Sequence, residues 1–307
     1  MKRRRFHCDR CRRRNVGKWQ KEEVEKVPTT YAHYKFGREV LSVLPKPLEN
    51  SIQKNRELFD IGLHGPDILF YYRVITKNRV NQMGYAMHDR FADEFFKRAA
   101  KVIASSKDKG AARAYLYGFI CHFALDSECH NYVEKMIDVS GISHSEIEME
   151  FDRLLLTEDG MDPVTHLSYT HIHATQKNAE VIAPFFKGIS VEEVRKSLSQ
   201  MIWCHKVLLA PKPLKRKLLF AALKVAGMYP SVGGMVMSLS PNPACTDYSR
   251  ILQRQFQGAV PVAAELISQY QKVLLEDGRM TERFHQTFGE GEHWRELSLR
   301  LDGEEEE

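Results

Sequence analysis

Cysteine is scarce and scattered. The six in 307 residues, Cys8, Cys11, Cys121, Cys129, Cys204 and Cys245, have no regular spacing, which excludes a disulfide framework as the basis of the fold. Long apolar runs are lacking too. The nearest approach, residues 212–239, is broken by Lys224, Pro230 and Gly233-Gly234, short of the ~20 uninterrupted apolar residues that a membrane-spanning helix needs. Its basic start, Lys212 to Lys217, could seek a membrane surface, but a buried helix and loop is the favoured reading. No secretory signal is legible, because the basic stretch Met1–Arg14 is followed by Gln20-Lys-Glu-Glu-Val-Glu-Lys rather than by apolar residues. A cytoplasmic location is expected.

Charge of one sign is lacking outside the N-terminus. The net charge of +5 arises in residues 1–27, which hold eleven Lys/Arg against four Asp/Glu. The rest holds 34 basic and 36 acidic residues, so no stable nucleic-acid partner is expected of the folded part. Residues 1–27 read as a basic tail, disordered or left untranslated, whose Cys8-x-x-Cys11 has no second cysteine pair to complete a zinc knuckle. Residues 28–300 read as one domain, and 301–307 as a solvated acidic end. The sequence carries no feature that fixes an oligomeric state.

What is present is helical periodicity. Strand-like alternation never runs far enough for a sheet. Helices are expected around Phe36–Leu44 and Phe91–Ile103, and at 111–137, 143–156, 174–186, 191–210, 213–227 and 259–276, with loops at Pro45, Gly65-Pro66 and 107–110. The fold class is all-α. At this length and with 43% hydrophobic residues, a real core is available without metals or disulfides.

One helix carries chemistry. His122, Asp126 and His130 are spaced four apart, which stacks them on one helical face. Their neighbours Phe119, Ile120, Phe123 and Leu125 are apolar, so a charged Asp126 there is costly unless a cation or a hydrogen-bond network compensates it. One such pair alone is more often a surface or satisfied core contact. A second pair, His144 and Glu148 behind a capping Ser143, makes a ligand cluster plausible. His, Asp and Glu without thiolates suit hydrolytic rather than structural zinc.

Five motifs occur in fixed order: Thr30-Tyr-Ala-His33, Gly62-Leu-His-Gly-Pro-Asp67, Met87-His88, His122-Phe-Ala-Leu-Asp126-Ser-Glu-Cys-His130 and His144-Ser-Glu-Ile-Glu148. From Pro28 to about Leu155 the chain resembles the bacterial zinc-dependent phospholipase C family, whose metal site is shared by fungal single-strand-specific nucleases. The resemblance implies one zinc held by Asp67, His88, His122 and Asp126, and a second held by His130, His144 and Glu148. A third would use His33 and share Asp126. His64 has no counterpart role and reads as a loop or supporting histidine. In the family the third ion also takes the amino group of an N-terminal Trp, whereas Trp19 is internal here. Translation starting at residue 27 would instead leave an amine at Pro28, five residues before His33.

The implied function is zinc-dependent phosphodiester hydrolysis of phospholipase C type on a phosphodiester, phospholipids included. Asp67 either orients and deprotonates the attacking water or serves as a ligand alone. The alternatives are a nuclease or nucleotide phosphatase on the same cluster, or a non-catalytic zinc-binding interaction protein. Phe70-Tyr71-Tyr72 could wall a substrate pocket but reads better as core. His166, His171, His173, His205, His285 and His293 are left unassigned.

Overall fold

The computed structural model describes residues 30–275, 279–291 and 293–300. Within them the chain forms twelve α-helices and no strand. The basic tail with Cys8-x-x-Cys11 and Trp19, the position Pro28 and the acidic end 301–307 lie outside the described residues.

In chain order the helices are α1 (Tyr31–Val43), α2 (Lys46–Gln53), α3 (Arg56–Gly62), α4 (Arg79–His88), α5 (Asp93–Ser105), α6 (Lys109–Ser140), α7 (His144–Glu158), α8 (Gln176–Ile182), α9 (Val191–Leu208), α10 (Pro213–Val225), the single turn α11 (Tyr229–Val232) and α12 (Thr246–Leu275). The axis is α6. Every residue from Ala114 to Ser127 is buried, as a helix that is apolar on all sides must be. It begins where the Asp108 carboxylate accepts a hydrogen bond from the Ala111 amide at 2.9 Å. It ends at Gly141, whose φ of 70° places it in the left-handed region. Helices α1, α3, α5, α7 and α12 pack around it.

Two glycines let α3 and α6 touch backbone to backbone. A Cβ on Gly62 would lie 2.2 Å from the Tyr115 carbonyl oxygen, and one on Gly118 would lie 2.1 Å from that of Phe59. This approach presses the turn that follows α3, with Asp67 on it, against the ligand-bearing face of α6. Helix α1 is fixed differently. Its N-cap Thr30 makes no side-chain cap, and the buried Asp152 of α7 takes that role instead. Its two oxygens accept from the Tyr31 and Ala32 amides at 3.1 and 2.8 Å, which sets His33 beside α7.

The sequence expectation of a helix over 259–276 is too short. Pro261 reads as a helix start because it lacks an N–H. In the structure α12 runs through it, since Ile251, Leu252 and Phe256 are buried on the preceding turns and hold the helix in place. The segment 174–186 divides into α8 and a 3₁₀ turn, Ala183–Phe185, around Pro184.

The favoured reading of a buried helix within 212–239 is overturned. Helix α10 buries only Leu223, while Leu214 is 70%, Leu218 63% and Val225 91% exposed. Arg216 explains the orientation. It donates to the carbonyl oxygens of Ala210 and Met237, so the helix is tethered through a cationic side chain and turns its leucines outward. No helix among the described residues is long and apolar enough to cross a membrane.

Candidate metal centre

Helix α6 delivers His122, Asp126 and His130 from one face, and the first two meet directly, His122 Nε2 standing 3.0 Å from Asp126 Oδ2. His130 turns the other way. Its Nε2 lies 3.6 Å from Glu148 Oε1, which is also 3.1 Å from His144 Nε2. The Ser143 hydroxyl caps α7 through the Glu146 amide, so His144 and Glu148 occupy its first turns and face inward together. From α1, His33 Nε2 approaches Asp126 Oδ1 at 3.4 Å, and its ring stacks on His122 with centroids 4.7 Å apart. From the last turn of α4, His88 Nε2 stands 2.9 Å from Asp67 Oδ1.

All eight residues named as ligands are thereby brought together. They form three groups whose candidate ligand atoms lie within 4.8 Å of one another: His33 with His122 and Asp126, Asp67 with His88 and His122, and His130 with His144 and Glu148. The last trio is the set that the resemblance gives to one ion. The others differ in grouping, because His122 reaches both the Asp67 side and the His33 side.

Burial pulls an imidazole down and pushes a carboxyl up. At His33 burial wins, and with the neighbouring His122 it lowers the pKa to about 4. At His122 burial also acts downward, but the carboxylates of Asp126 and Asp67 outweigh it and hold the ring up at about 9. His144 rises to about 10, since Glu148 and Glu134 overcome the same burial. Burial would raise Asp126 and Glu148, yet their histidines hold both well below the ordinary carboxylate range. Closed carboxylates here demand positive charge.

Several buried atoms also lack any hydrogen-bond partner: both oxygens of Asp67, His122 Nε2 and Glu148 Oε2. Each such atom costs about 1–3 kcal/mol if left alone, so four of them in one cluster fit a coordinated cation. His88 shows why. Its Nδ1 donates to the Gly84 carbonyl at 2.9 Å, so in the neutral ring Nε2 presents a lone pair to a carboxylate oxygen. Two acceptors at that distance repel unless a cation joins them. His130 is fixed likewise, with Nδ1 donating to the Phe288 carbonyl at 2.8 Å. The donor set of imidazoles and carboxylates without thiolate suits zinc.

Sequence reasoning missed that Phe288 carbonyl, and a backbone oxygen has no side-chain signature by which to find it. It also missed Glu134, whose Oε1 lies 3.8 Å from His144 Nδ1, although its place four residues after His130 on α6 could have flagged it. His64 joins none of the three groups. It is buried, with Nε2 2.8 Å from Nε2 of His171, so the two neutral rings share one proton as donor and acceptor. His205 bonds the Thr30 hydroxyl at 2.8 Å. His285 stacks on Phe91 and His293 pairs with Glu296. Phe70 and Tyr71 are core residues and Tyr72 packs against them, in keeping with the favoured reading, although Tyr71 also borders a cavity.

A family model described as zinc dependent phospholipase C matches residues 32–198. This span is more than half of the chain. It contains all eight residues of the centre and continues past Leu155, the limit of the resemblance read from the sequence. No curated protein and no solved structure matches.

Proposed function

The chain belongs to the zinc-dependent phospholipase C family, and from that premise we propose that it hydrolyses a phosphodiester, a phospholipid in particular, by the phospholipase C route. The observation that carries this reading is the convergence of five histidines and three carboxylates from α1, α4, α6, α7 and the 3₁₀ turn Gly65–Leu69. His33, Asp67, His88, His122, Asp126, His130, His144 and Glu148 would hold the metal. Zinc bound there supplies Lewis-acid polarisation of a phosphoryl oxygen and a water that ionises near pH 7.

The protein's own part is position and proton transfer. Asp67 would act on the attacking water, because both of its oxygens are buried yet accept no hydrogen bond from the protein. A carboxylate so placed can align the water for in-line attack on phosphorus and take its proton. The carbonyls of Gly84 and Phe288 hold His88 and His130 in the tautomer that leaves Nε2 free for coordination. Burial of the whole cluster strengthens every electrostatic contact with a developing phosphorane charge.

The test is metal content of the purified protein by plasma emission spectrometry, with hydrolysis of a chromogenic phosphodiester before and after chelation. Two or three zinc ions per chain with chelator-sensitive turnover is the expected result. Zinc without turnover would move the protein to the non-catalytic binding class, and absence of zinc would overturn the ligand set.

A further inference from the structure

Helix α10 is amphipathic the wrong way round. A surface helix ordinarily buries its apolar stripe and shows its charges. Here Leu214, Leu218, Ala221 and Val225 follow the i, i+4, i+7, i+11 rhythm that lines one face, and all four are exposed. The one buried residue, Leu223, lies on the opposite side with Arg216. Helical geometry puts Lys215 on one flank of the outward stripe and Lys217 and Lys224 on the other. Beside the stripe, Trp203 of α9 is 54% exposed and shares a groove with Val207, Leu214 and Leu218.

Charge gives the partner. From Val194 to Thr246 the chain carries eight Lys/Arg and no Asp or Glu, and Lys206, Lys212 and Lys215 border the same groove. We propose that α10 and the Trp203 end of α9 form an interfacial docking surface for an anionic phospholipid bilayer, with the leucine stripe and Trp203 entering the headgroup layer and the flanking lysines meeting lipid phosphates. Nucleic acid would answer the lysines but leave the leucines in water. A second copy of the chain would set one basic surface against another.

Helix α9 carries this surface on one face and borders an inner cavity with another. Cys204 and His205, next to Trp203, line a cavity together with Ser145 and Met149, which adjoin the ligands His144 and Glu148. The inference rests on the reading of the centre as a phospholipid hydrolase for its purpose, since a docked bilayer would hold the protein against that substrate. The docking itself is measured apart from turnover.

The experiment is co-sedimentation of the full-length, zinc-loaded protein with vesicles of phosphatidylcholine alone and of equal parts phosphatidylcholine and phosphatidylglycerol, with hydrolysis of a soluble chromogenic phosphodiester followed in parallel. Binding to the anionic vesicles is expected, weakened by salt. The exposed double variant Leu214→Glu/Leu218→Glu is expected to bind on the order of a hundredfold more weakly while its turnover of the soluble substrate stays at the wild-type level. Wild-type protein that ignores anionic vesicles overturns the proposal, as does a double variant that binds them undiminished. Binding of a DNA duplex in place of vesicles, or a dimer that the double variant dissolves, would assign the surface elsewhere and overturn it too. Vesicle binding without soluble turnover would sink the hydrolase reading and leave the docking surface standing.

Discussion

Gly65 and His122 are held so close that a Cβ on the glycine would stand 2.1 Å from Cδ2 of the ring. The glycine also has a φ of 46°, a conformation that costs an L side chain roughly 1–2 kcal/mol. The turn that presents Asp67 is therefore seated on the imidazole shared by two of the three ligand groups. Gly65→Ala must move one or the other. The expected outcome is a protein that keeps its helical circular dichroism but loses bound metal and phosphodiester turnover together, with thermal unfolding shifted down.

Asp126 is within 4.0 Å of four histidines, at 3.0 Å from His122, 3.4 Å from His33, 3.8 Å from His88 and 4.0 Å from His130. Asp126→Asn keeps the shape and removes the charge that these rings face. Metal affinity is expected to fall by more than about a hundredfold, beyond the loss usual for groups that only support a ligand. Competition with a chromogenic chelator measures it. Near-wild-type affinity would show that Asp126 is not a ligand.

Asp152 belongs to none of the three candidate ligand groups. Its carboxylate accepts from the Tyr31 and Ala32 amides and so caps α1 from α7. Asp152→Ala leaves two buried amides unpaired, at a cost of about 2 kcal/mol. The urea midpoint should fall accordingly. Metal held by the His33 group should be lost before metal held by His130, His144 and Glu148, and Asp152→Asn should recover part of both.

Acid should unfold the protein through histidines outside the centre. Burial holds His171 at about 3 and His205 at about 4, against an ordinary value near 6.5. Below that value the unfolded chain takes up protons that the native state refuses, so stability is full above pH 6.5 and falls as pH drops towards 4. The loss should reach a few kcal/mol across that window. Urea unfolding at pH 4.5 and pH 7 would record it, and His171→Gln should flatten the dependence.

Legibility differed by the kind of signal. The spacing of His122, Asp126 and His130, and the Ser143 cap before His144 and Glu148, are local, and a helix of fixed pitch turns such spacing into a shared face. The limits of α12 were harder to read, because Pro261 sends a local signal for a helix start that buried Ile251, Leu252 and Phe256 override. The outward turn of α10 was misread for a related reason. An apolar run announces that it will be covered, but not whether protein will cover it.

The sequence by itself determined the helical class and, through near-neighbour spacing, the donors His122, Asp126, His130, His144 and Glu148, while His33, Asp67 and His88 were named only by the resemblance that the ordered motifs carry. Only the tertiary structure decided how those donors divide into three groups, that His122 is common to two of them, that the Phe288 carbonyl orients His130 and that the leucines of α10 face away from the core. These relationships join residues far apart in the chain, and their distances are set by close approaches such as Gly62 to Tyr115 and by long-range caps such as Asp152 on α1. Packing, not spacing, fixes contacts of that kind.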